Sequence, residues 1–223
     1  MATETLVQEI SPIGFYQIHS LPLRIWHWVT SLAISATLIV VLLASTLFKT
    51  KSNIAMVQEQ LQQKGIKVSA DQARSVAHEY NDKLWATHTI IGYVISFLLL
   101  ARMVIEITQP ADQKMKVKIR NASNFASNNP VERDEVRHYL FVKRTYLLFY
   151  VAILIMAATG LALAFEDTPW LKDFQKTLRS IHSFVQYIIY GYIIIHIGGL
   201  VLAEGGKYRG VVSGMIHGNR KIK

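Results

Sequence analysis
The sequence predicts an all-α, integral membrane protein folded as one up-down-up-down four-helix bundle. Two observations carry that expectation. The 223-residue chain is 51% hydrophobic and only 17% charged, against about 25% charged residues in ordinary soluble domains. Its apolar residues gather into four runs, 25–48, 84–107, 145–165 and 181–203, each near the roughly 20 residues that cross a bilayer. Four spans joined by three polar connections form a single bundle over 1–223, an architecture whose interior commonly houses metal cofactors.

Residues 1–24 are a polar lead-in in which Pro12 and Pro22 discourage helix. The opening MATETLVQEI is acidic and polar where a cleaved signal would be basic, so the first run is read as a span. In the 49–83 connection, SADQARSVAHEYNDKL reads as a short amphipathic helix that starts near Ser69 or Asp71. The 108–144 connection opens with Pro110 and contains the turn-rich NASNFASNNP. After it, DEVRHYLFVKR is expected to lie along the cytoplasmic surface.

The net charge of +9 points to membrane orientation rather than to nucleic acid. The 1–24 lead-in, the 108–144 connection and the tail after 203 hold one, eight and five Lys/Arg, and the 49–83 and 166–180 connections hold six and three. Positive charge stays on the cytoplasmic side, so both termini are expected there. The chain has no cysteine, which excludes iron–sulfur clusters, thioether-linked haem and disulfides on it. Redox chemistry here needs histidine-held cofactors.

The fourth run, RSIHSFVQYIIYGYIIIHIGGL, carries His182 and His196. An ionisable group at membrane depth costs at least about 2 kcal/mol and marks function by default. Fourteen residues separate the two, so at about 100° and 1.5 Å per residue they lie about 40° apart around the helix and about 21 Å apart along it. They face one way at two depths, which suits two stacked cofactors. His27 opens the first span at the cytoplasmic side, and His88 opens the second at the outer side. Depth therefore pairs His88 with His182 and His27 with His196, and each pair can clamp one porphyrin through both faces of its iron. The rival reading makes these histidines polar packing residues bonded across helices. His19, His78, His138 and His217 fall in connections or tails and read as solvated. Glu106 is the one carboxylate inside a span, at its edge, so a proton relay has little to work with.

Gly92 and Ser31 stand one turn after His88 and His27, where small side chains admit a flat macrocycle or a close helix pair. Arg24, Arg102 and Arg144 cluster at cytoplasmic span ends as partners for carboxylates of such a group, or as snorkelling anchors. Arg179 holds the same position on the outer side. Trp26, Trp28, Trp85 and Trp170 lie at span ends, as interfacial belt residues do.

PLRIWHWVT (22–30) resembles the first-helix signature of the b-type cytochrome subunits of membrane-bound nickel–iron hydrogenases, within the bacterial cytochrome b561 and formate dehydrogenase gamma superfamily. The His-x13-His spacing of the fourth span and the tail SGMIHGNR (213–220) resemble the same subunits, and ATHTIIGYVISFLLLAR (86–102) fits their second helix. Their Gly-His-Asn-Pro element before the third helix has no counterpart; VRHYLFVKRTY (136–146) stands there. The resemblance implies two non-covalent bis-histidine haem b groups, the inner held by His27 and His196 and the outer by His88 and His182. It also implies a multi-pass protein of the bacterial cytoplasmic membrane. Electrons would come from an exoplasmic redox subunit, a hydrogenase or another dehydrogenase, and pass to a quinone near the inner haem, where Arg24, Arg144 and Tyr146 offer polar groups. A stand-alone b561-type quinone oxidoreductase and a haem-free membrane anchor are the alternatives. Membrane lipid surrounds the chain in every case, and no nucleic acid partner is expected.

Overall fold
Four long helices carry the four apolar runs in the computed structural model, which describes residues 20–110, 114–206 and 211–218. They are α1 (Leu21–Ser45), α3 (Ala70–Thr108), α5 (Pro130–Ala164) and α6 (Gln175–Gly205), each long and apolar enough to cross a membrane. Shorter helices fill the connections: α2 (Thr50–Gln63) between the first two, α4 (Met115–Ser123) between the second and third, and α7 (Val211–His217) after the fourth. A single 3₁₀ turn, Lys172–Phe174, leads into α6. No strand occurs among the described residues.

Helix starts follow local chemistry. Pro22 sits in the first turn of α1, where its missing N–H leaves no bond unmade. Ser69 caps α3 in a reciprocal box, its hydroxyl accepting from Gln72 N–H while the Gln72 carbonyl accepts from Ser69 N–H. Pro130 opens α5 behind Asn129, whose side chain accepts from Val131 N–H.

Two connections differ from expectation. The 69–84 stretch is no separate short helix but the first turns of α3, a helix of 39 residues. The 134–144 stretch likewise belongs to α5, 35 residues long, instead of lying along the surface. The physical reason is the same in both: neither glycine nor proline occurs between Ala70 and Ile91 or between Val131 and Thr159, so nothing ends the helix at the membrane boundary. At about 1.5 Å per residue these helices reach about 58 and 52 Å, well beyond a core about 30 Å thick. His78 and His138 consequently sit on exposed helical turns rather than in loops, and His19 lies outside the described residues.

Helix α1 packs along α3 and α5 along α6, with α3 and α5 joining the two hairpins. The small core is Ala152 and Ile153 of α5 against Val185 and Ile189 of α6, with Ile34 of α1 and Ile95 and Leu99 of α3 packed around it. Leu32, Ile194 and Leu202 are each more than 70% exposed, the expected state of a side chain whose solvent is lipid. Asn81 of α3 donates from Nδ2 to the carbonyls of Ala44 and Phe48, occupying acceptors that the end of α1 would otherwise leave open. At the opposite end, α7 folds back onto the start of α1. Arg24 Nη1 donates to the Ile216 carbonyl (2.9 Å) and Trp28 Nε1 to that of Met215 (3.1 Å).

Candidate functional site
The four intramembrane histidines meet two by two, each pair drawn from α6 and a helix of the other hairpin. His88 of α3 faces His182 of α6 with ring centres 6.3 Å apart, and His27 of α1 faces His196 of α6, also at 6.3 Å. Imidazoles on opposite sides of one metal, with bonds of about 2 Å and about 1 Å from each nitrogen to its ring centre, stand about 6 Å apart. Both separations therefore leave room for one iron.

The rings of the outer pair are held from behind. Thr37 of α1 shares a 2.8 Å hydrogen bond with His88 Nδ1, and Thr159 of α5 a 2.9 Å bond with His182 Nδ1. The Thr159 hydroxyl also lies 2.7 Å from the Ile155 carbonyl, and when it donates there it can accept from His182 Nδ1–H. In that tautomer the Nε2 lone pair is free, as a metal ligand requires. A cavity of about 830 Å³ contains both rings and is lined by all four long helices. Gly92 lines it with open space around its Cα, while a methyl group on Gly160 would stand 3.2 Å from His182 Cε1. Trp85 meets His88 edge-on at 5.6 Å, and Arg179, paired with Glu166 at 2.6 Å, stands at the cavity's rim.

Among the described residues, four buried side-chain atoms on the inner side have no hydrogen-bond partner: Arg24 Nε, His27 Nδ1, Thr30 Oγ1 and Arg102 Nη1. Orphans of this kind are rare in folded chains and call for an explanation. Two are cationic donors, which suits an anionic group such as a haem propionate. Arg102, 8% exposed, is otherwise held by Glu106 (2.9 Å) and the Tyr150 hydroxyl (3.0 Å), with Trp26 and Tyr150 rings against its guanidinium. His196 stacks on Tyr192 at 5.7 Å, and Tyr192 on Phe149 at 4.5 Å.

The remaining expected residues are scattered. Ser31 is half-buried on α1. Tyr146 is half-buried with its ring 5.3 Å from Lys143 Nζ. Arg144 is exposed beside Arg137, His138 and Phe141, on a face of α5 away from the histidines. Trp26 is not a free belt residue, since its Nε1 donates to the Leu98 carbonyl at 2.7 Å and ties α1 to α3. Thr37, Thr159 and Gly160 were missed from sequence. Each is a common residue of apolar helices, and only its facing partner gives it meaning.

Four membrane-length helices that set imidazoles against each other two by two define a membrane-type helical bundle with paired histidines in its interior. The profile of the prokaryotic cytochrome b561 family matches residues 18–218, and the chain belongs to that family. It is accordingly a prokaryotic membrane cytochrome of the b type, a haem-binding protein of electron transfer. Comparison with curated proteins and with solved structures returned no match.

Proposed function
We propose that the chain holds two haem b groups and passes electrons between an exoplasmic redox subunit, a hydrogenase or another dehydrogenase, and the quinone pool. The observation that carries this reading is the pair of equal imidazole gaps, 6.3 Å each, at two depths about 21 Å apart along α6. His88 and His182 are the ligands of the outer group, and His27 and His196 of the inner one. Bound there, each haem supplies a reversible one-electron step, and together they divide a core about 30 Å thick. The chain's own residues orient the ligands, keep the gaps dry and meet the charged edges. Arg24 and Arg102 supply free donors on the inner side, and Arg179 stands at the outer rim.

The two-haem reading is tested by stoichiometry. The purified protein should carry two low-spin haems, and His182→Ala and His196→Ala should each remove a different one, leaving roughly half the absorbance. If either variant kept both, the pairing would be wrong.

Direction is tested with the partner present. Once the complex is reduced by the partner's substrate, a quinone-site inhibitor should leave the haems reduced. If it instead prevented their reduction, electrons would be coming from quinol and the direction would be reversed. A quinone head group near the inner pair finds polar atoms on Arg24 and Tyr146; exposed Arg144 is placed for lipid head groups instead.

A further inference from the structure
The two histidine pairs differ in what stands behind the rings. Both outer imidazoles have a threonine hydroxyl on Nδ1, Thr37 at 2.8 Å and Thr159 at 2.9 Å. On the inner side, His27 Nδ1 is buried with no partner. Thr37 and Thr159 belong to different helices from the histidines they meet, so the arrangement comes from packing rather than from one helix's turn.

We propose that Thr37 and Thr159 are positioning residues that hold the outer haem at a lower potential than the inner one, which makes electron flow from the exoplasmic side downhill. The inference rests on the two-haem reading above. Its chemistry is that of the ligand's second nitrogen. With iron on Nε2, a neutral imidazole keeps its proton on Nδ1, and donating that proton to an oxygen makes the ring a stronger electron donor to the metal. A stronger donor favours ferric over ferrous iron, so the potential falls. For His182 the geometry favours that direction, because the Thr159 hydroxyl lies within donating distance of the carbonyls of Ile155 (2.7 Å) and Met156 (3.2 Å). A threonine that bonds back to its own helix in this way presents an oxygen and nothing else. His27 lacks such an acceptor, so its ring is the weaker donor. One electron reaching the outer haem thus passes to the inner haem, and neither threonine loses or gains a proton in the transfer.

The test is a spectroelectrochemical titration of the purified protein and of Thr37→Val, Thr159→Val and Thr159→Ser. The outer wave is identified as the one missing from His88→Ala. Each valine variant should raise the outer midpoint and leave the inner one in place, by an amount of order tenfold in the ferric-to-ferrous ratio, about 59 mV for one electron. Thr159→Ser, which keeps the oxygen, should retain the parent value. A ligand that is merely mispacked would not be rescued by serine. Outer midpoints that stay put in valine variants retaining both haems would overturn the proposal, as would an outer potential above the inner one in the parent. If Thr159→Val sheds its outer haem, Thr37→Val on α1 reads the same quantity alone. A parent protein carrying fewer than two haems would sink the two-haem reading instead, and is told apart by stoichiometry before any titration.

Discussion
Gly160 gives the His182 imidazole its place, because a methyl group there would lie 3.2 Å from the ring's Cε1. Gly160→Ala should therefore push the ring by a few tenths of an ångström and loosen outer haem retention. Gly160→Val should bring haem content toward one per chain, with the inner spectrum intact, measured by pyridine haemochrome and absorbance. A valine variant with full haem content would show that the ring has room to move. Arg102 works by a different logic. Its pairing with Glu106 at 2.9 Å is largely shielded from solvent, and Glu106 also accepts from Gln109 Nε2 and Met115 N–H at 2.7 Å each. Arg102→Met leaves that carboxylate without its cation, a change that costs about 3 kcal/mol in comparable shielded pairs. Thermal unfolding in detergent should show a lower transition even if both haems remain.

At the scale of elements, the α2–α3 hairpin depends on two adjacent devices. Gly65, at φ +77°, closes α2, with Gly65 N–H donating to the Gln62 carbonyl and Ile66 N–H to that of Leu61, the Schellman pattern that favours glycine. Four residues later the Ser69–Gln72 box opens α3. Gly65→Ala should cost about 1 kcal/mol, since an L-residue is strained at positive φ, and Ser69→Ala about 1 kcal/mol through the lost cap. Both changes lie far from the histidines, so amide hydrogen exchange should rise across 50–80 while haem content stays constant. The same hairpin shows how a helix outgrows its span. Nothing in α3 halts propagation between the cap and Gly92, so the membrane-crossing segment and the amphipathic stretch before it form one rod.

For the whole molecule, the alternation of four spans puts the start of α1 and the end of α6 at one end, where α7 also docks through Arg24 and Trp28. By the positive-inside rule, the Lys/Arg excess of the 108–144 connection and the tail predicts that this end faces the cytoplasm. A reporter active only outside the cytoplasm should be silent when fused after Lys223 and active when inserted within 55–75. The opposite pattern would exchange the inner and outer assignments of the two histidine pairs.

The sequence by itself determined the four spans, the single bundle and the depth of the four intramembrane histidines. Hydropathy is summed over local windows, and helical rise per residue is nearly constant, so His182 and His196 had to lie about four turns apart in depth whatever surrounded them. Depth also sufficed to match His27 with His196 and His88 with His182, because only one histidine on the other helices lies at each level. The tertiary structure decided what stands behind and beside those rings. Thr37, Thr159 and Gly160 carry no sequence signal, since a hydroxyl or a bare Cα matters only through the rotation of one helix against another. That rotation is set by side-chain packing at contacts such as Ile153 against Val185 and Ile189. It also turned Arg144 outward and Arg102 inward, although both lie near the same membrane level. Depth along a helix is a property of the chain, whereas the direction a residue faces belongs to the packed bundle.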